Sequence, residues 1–159
     1  CIRDSFDVML NVSLIESEAD LGNPPSTCPA INPPPECTEI QTSKQRPLQG
    51  QSPFVVNTTF SYRHETWGTA RLLYNTIGRR IVAAGVRSES SALPDIYEES
   101  RNQLDFVWLT EISPFDVPLR TKVAVENILD DDYFQTQGGE AIQQYWTGRT
   151  FKLSLTYAF

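Results

Sequence analysis

The chain offers little of what most functional classes require. No apolar run approaches the 18 or more residues of a membrane helix, and one of the longest, Ile81 to Val86, is interrupted by Gly85. Cations are scarce: 13 Lys and Arg stand against 20 Asp and Glu, a net charge of −7. A phosphate backbone needs clustered Lys and Arg, so nucleic acid is excluded as a partner. A single histidine, His64, stands beside an expected turn without a Cys or a paired carboxylate, and reads as structural. No Gly-x-Ser-x-Gly, His-Glu-x-x-His or phosphate-loop motif occurs, so no enzyme and no cofactor are expected. The run Asp130-Asp131-Asp132 lacks EF-hand spacing, and no metal is expected there.

Of three cysteines, Cys28 and Cys37 lie nine apart in a proline-rich segment, which suggests a local disulfide and an oxidising compartment. Two free thiols are the alternative. The chain starts at Cys1 with no signal peptide, so a processed chain, an acylated N-terminus or a fragment are all expectations.

What the sequence does have is alternation. Phe6, Val8, Leu10, Val12 and Leu14 alternate with mostly polar neighbours, a strand with one apolar face. Phe54 to Arg63 repeats the pattern, followed by a blurrier run from Thr69 to Val86, in which Gly78 and Gly85 mark bends. Leu104 to Ile112, Arg120 to Glu126 and Phe151 to Phe159 complete six strands. Their connections alternate in length. Long ones span about 16–51 (holding most of the eleven prolines), 87–100 and 130–144; short ones span 64–68 and 113–118.

Long connections at one end and short turns at the other fit a transmembrane β-barrel, whose strands need roughly 9–11 residues each. Arg63, Asp105, Glu111, Arg120, Lys122, Glu126 and Lys152 would then face a hydrated interior, since a dry core would penalise them heavily. Aromatic residues near strand ends (Phe54, Tyr62, Phe151, Tyr157, Tyr145, Trp146) suit interfacial girdles. The acidic runs Glu16 to Asp20 and Asp95 to Glu99 read as solvated rim.

Several segments resemble TonB-dependent outer-membrane receptors. Glu126-Asn-Ile-Leu-Asp-Asp-Asp-Tyr133 is similar to the element before their last loop, and Gly148-Arg-Thr-Phe through Tyr157-Ala-Phe159 to their final strand. Arg46-Pro-Leu-Gln-Gly-Gln-Ser-Pro53, Leu72-Leu-Tyr-Asn75 with Gly78-Arg-Arg-Ile81, and Pro94-Asp-Ile-Tyr-Glu98 before Leu104-Asp105 agree in order. The resemblance covers about residues 46–159. It implies an all-β, antiparallel segment spanning 1–159, the C-terminal part of a barrel of about 22 strands. The long connections would be extracellular and the short ones periplasmic. It implies residence in the bacterial outer membrane and uptake of a scarce bulky nutrient such as a ferric siderophore. The partners implied are the rest of the barrel, a plug domain, the TonB complex through a missing N-terminal part, outer-membrane lipid and the barrel-assembly machinery. Lys152, Ser154, Tyr157 and Phe159 match the family's assembly signal, with Ser154 in place of the usual Gly. Tyr97, Tyr133, Tyr145 and Trp146 are the candidate substrate-binding residues on the outer loops. A competing expectation is a small secreted or lipid-anchored β-sheet binding protein carrying an acylated Cys1.

Overall fold

The computed structural model describes residues 4–20, 40–41, 45–87, 93–114 and 117–157. In chain order its strands are β1 (Asp4–Leu14), β2 (Ala19–Asp20), β3 (Ile40–Gln41), β4 (Gln45–Arg46), β5 (Phe54–His64), β6 (Gly68–Ile77), β7 (Arg80–Ala83), β8 (Val86–Arg87), β9 (Ile96–Glu98), β10 (Arg101–Ile112), β11 (Leu119–Glu126), β12 (Tyr133–Gln137), β13 (Glu140–Tyr145) and β14 (Thr150–Tyr157). Among the described residues there is no α-helix. The proposed Cys28–Cys37 disulfide and Phe159 lie outside the described residues.

The six long strands form one antiparallel sheet in the order β1-β5-β6-β10-β11-β14, a meander that follows the chain. The sheet is open: β1 and β14 are its edges. Short connections suffice at one end, where β5 turns into β6 and β10 into β11. All three longer segments leave from the opposite end. These segments, expected as plain loops, carry strands instead. Residues 130–144 fold into the hairpin β12–β13, and residues 87–100 contain β9. With β7 they build a second antiparallel sheet, β13-β12-β9-β7.

The expected third strand from Thr69 to Val86 is split. β6 ends at Ile77 and β7 starts at Arg80 in the other sheet. At the break Gly78 N–H donates to Phe54 O (2.9 Å) and Ser52 Oγ donates to Gly78 O (2.7 Å). A Cβ on Gly78 would stand 2.8 Å from the Phe54 ring, so the chain crosses between sheets where no side chain is in the way.

Directly opposed residues in a sheet share a face, so the pairing register sorts the side chains. One row across all six strands reads Phe6, Tyr62, Ala70, Trp108, Val123, Leu153; the next reads Val8, Phe60, Leu72, Phe106, Val125, Phe151. Leu10, Val12, Leu14, Ile112, Leu155 and Tyr157 extend the same face. The other face carries Arg63 and Lys122 in one row and Arg71 and Lys152 in the next. Asp105, Glu111, Arg120 and Glu126 also point to that side. All the charged residues assigned to a wet interior are therefore on one face. An amide row, Asn11, Asn57, Asn75 and Gln103, crosses it at mid-strand, with Asn75 Nδ2 donating to Asn57 Oδ1.

Nothing covers the apolar face within the described residues. Leu14 is 80% exposed, Phe151 75%, Leu153 67% and Phe6 65%. Among the described residues the only buried hydrophobic ones are Ile81, in the second sheet, and Ala124, on the charged face. A water-soluble domain stacks a second layer on such a face. Here the main sheet is a single layer.

Candidate functional site

The second sheet and residues 45–53 form an outer layer beyond the long-connection end of the main sheet. Its chemistry follows from register. Pairing of β7 with β9 sets Arg80 opposite Glu98 and Ile81 opposite Tyr97; pairing of β9 with β12 adds Gln135 and Thr136 to the same two rows. Arg80 thus reaches Glu98 Oε2 with both Nη2 (2.9 Å) and Nε (3.1 Å).

Arg79 lies over the Tyr97 ring, its Cζ 3.9 Å from the centroid, and its Nε is 3.2 Å from Glu99 Oε1. Thr136 Oγ1 donates to the same Glu99 oxygen. Arg46 Nη1 pairs with Asp95 Oδ1 at 3.3 Å, and Gly85 N–H donates to that oxygen at 2.6 Å. Gly85 is required at this spot, because a Cβ would meet Leu93 O at 2.3 Å. Gln137 Nε2 donates to Pro94 O (2.9 Å), and Gly50 N–H to Ile81 O (2.7 Å).

Asp95, Glu98 and Thr136 are buried, with 8%, 9% and 6% exposure. This corrects the reading of Asp95 to Glu99 as a solvated rim. A buried carboxylate is tolerated only when paired and hydrogen-bonded, and each of these acids has its own arginine. Glu16, Glu18 and Asp20 are exposed as expected.

A second polar knot closes the base of the β12–β13 hairpin. Asn127 and Asp130 adopt left-handed backbone (φ 55° and 57°), a conformation Asn and Asp tolerate better than most residues. Asn127 Nδ2 donates to Thr147 Oγ1 and Gly148 O (both 2.9 Å), and Asn127 N–H donates to Asp105 Oδ1 (2.9 Å). Asp131 accepts Asn102 N–H at 2.6 Å, and Arg149 Nη2 stands 3.8 Å from Asp130 Oδ2. The Asn-Ile-Leu-Asp-Asp-Asp run is thus a junction joining β10, β11 and β14. Its aspartates are engaged in backbone and side-chain contacts, and no metal-holding group occurs among the described residues.

The four candidate ligand residues fall in or beside this outer layer. Tyr133 and Tyr145 face each other across β12–β13 and stack at 4.4 Å with planes 15° apart. Tyr97 lies beneath Arg79. Trp146, 78% exposed, follows the end of β13 and joins neither group. Lys152, Ser154 and Tyr157 are on β14; Lys152 Nζ reaches Glu126 Oε1 at 2.6 Å.

The sequence reading missed Arg79, Arg80, Asp95, Glu98 and Thr136 as a unit. A signal was present: two arginines precede the 87–100 segment and three carboxylates end it, so a hairpin-like return brings them together.

On the charged face a recess of about 650 Å³ lies near the short turns, lined by Glu65, Leu109, Glu111, Arg120, Lys122 and Ser154 among others. Comparison with protein-family models, with curated proteins and with solved structures returns no match for this chain.

Proposed function

We propose that this chain is part of the wall of a TonB-dependent outer-membrane transporter that takes up a scarce, bulky nutrient such as a ferric siderophore. In this reading it supplies six transmembrane strands of a barrel of about 22, together with the extracellular layer built by β7, β9, β12 and β13. The plug domain, the remaining strands and the segment that engages TonB come from outside these residues, and the lipid and assembly machinery of the bacterial outer membrane complete its partners.

The observation that carries the proposal is the bare, continuous apolar face of a single-layer meander whose other face is charged. Lipid accounts for the first and a hydrated lumen for the second. Strands of eleven residues, as in β1 and β5, rise about 36 Å; tilted by about 45° they span roughly 25 Å, the height of a barrel's apolar band. Open edges in lipid leave backbone groups unpaired at prohibitive cost, so β1 and β14 need neighbouring strands. A small secreted or lipid-anchored binding protein would instead need its own second layer to cover Phe6, Leu72 and Leu153.

Epitope insertion in the complete receptor tests the orientation. A tag between Gly138 and Gly139, at the β12–β13 tip, is expected to bind antibody on intact cells. A tag at Glu65 is expected to bind only after the outer membrane is permeabilised. The reverse pattern, or equal staining of both, refutes the proposal.

A further inference from the structure

The chain's single histidine holds the β5–β6 turn by an arrangement that depends on its protonation state. The ring of His64 accepts at Nδ1 from Thr66 N–H at 3.2 Å and Trp67 N–H at 3.3 Å, and the Thr66 hydroxyl lies 3.0 Å from the same nitrogen. Two of these are backbone amides, which can only donate, so Nδ1 carries no proton in this arrangement. The ring proton of the neutral form is therefore on Nε2, which stands 3.7 Å from Asp4 Oδ1 on β1. The imidazole also stacks on Trp67, with centroids 4.9 Å apart.

The turn is coupled to four strands. Trp67 O accepts the indole N–H of Trp108 on β10 at 2.8 Å. Gly68, with φ +83°, passes so close to β10 that a Cβ would be 2.1 Å from Leu109 O. β1 enters through Asp4, and β5 and β6 are the strands being joined. The titratable groups around the ring are Asp4 on β1, Tyr62 on β5 (centroids 6.3 Å away) and Glu65 in the turn; β6 and β10 present Gly68 and Trp108.

The geometry points to His64 as an acid-sensitive clasp on this turn. Adding a proton at Nδ1 sets an N–H against the N–H groups of Thr66 and Trp67, which removes their acceptor. The same proton makes the ring a cation facing Asp4, so the ring exchanges its hold on the turn for an ion pair with β1. Stacking on Trp67 survives, because a cation over an indole face is favourable. Acid thus loosens the turn while keeping the ring in place. The device works whichever medium surrounds the sheet, so it stands apart from the transport proposal.

NMR of the complete protein, isotopically labelled at histidine, threonine and tryptophan and held in detergent micelles, tests it. At neutral pH the Nδ1 resonance is expected in the unprotonated range. As the pH is lowered from neutral, the Thr66 and Trp67 amides should shift together with the ring. Their hydrogen-exchange protection, corrected for intrinsic rates, should fall by up to about tenfold, the loss of one hydrogen bond. His64→Asn keeps an acceptor near the Nδ1 position without a titrating proton, and should hold both amides constant over the same range. His64→Ala removes the acceptor and should show the lowered amide protection at every pH. A protonated Nδ1 at neutral pH overturns the inference in the wild-type chain alone, even if the variants do not fold. Equal titration of both amides in His64→Asn would assign the effect to Asp4 or Glu65 and overturn it as well.

Discussion

An arginine placed at Leu153 separates a lipid-facing sheet from one in water. Leu153 lies near the middle of β14, an edge strand, and is 67% exposed, so only about a third of its side chain rests on protein. Full burial of a leucine contributes about 1.5–3 kcal/mol, and a third of that is about 0.5–1 kcal/mol. That is the whole loss if the exposed part faces water, where a surface change otherwise stays within about 0.5 kcal/mol. If the exposed part faces lipid, the cation adds about 2–4 kcal/mol near the bilayer midplane and about 0–1 kcal/mol near an interface. Leu153→Arg should therefore cost about 2.5–5 kcal/mol, while Tyr157→Arg at the strand end costs far less. Ser154→Arg points to the charged face and should be close to neutral. The assay is denaturant unfolding of the complete barrel refolded in phosphatidylcholine vesicles, followed by tryptophan fluorescence. Costs for Leu153→Arg and Tyr157→Arg within about 0.5 kcal/mol of each other would refute the lipid-facing assignment.

Asp95→Ala strips Arg46 and Gly85 N–H of their shared acceptor and leaves a largely buried arginine unpaired. It should cost about 3–5 kcal/mol locally and appear as faster proteolysis within residues 79–99. Asn127→Gly keeps the left-handed backbone but loses the amide bonds to Thr147 and Gly148. Asn127→Ala loses both and should be less stable by about a further 1–2 kcal/mol in the same unfolding assay. Gly68→Ala drives a methyl into Leu109 O and should lower the yield of folded barrel, read as the fraction of heat-modifiable protein on a gel.

The strands were legible because period-2 alternation states a face directly, and the register bears out the partition down to individual residues. Arg63, Lys122 and Lys152 share one side, and Leu72, Phe106 and Val125 the other. The break after Ile77 was legible only as a glycine. The outer layer was not legible: in Asp95-Ile-Tyr-Glu-Glu99 three carboxylates in five residues look solvated. Arg79 and Arg80 before the segment hint at partners for two of them, but nothing local says that Arg46, from a separate segment, will meet Asp95. Likewise the Asp130 to Asp132 run gave no hint that its neighbour Asn127 would tie three strands together.

By itself, the order of residues determined which side chains share a face, where the chain must turn, and that no helix crosses a membrane among the described elements. These depend on spacing along one strand. Tertiary structure alone decided that the apolar face is left bare, that the long segments pair into a second sheet, and that Asp95 and Glu98 are buried against arginines. Each of those outcomes depends on which distant segment arrives opposite, at a distance and in a register that no local pattern encodes.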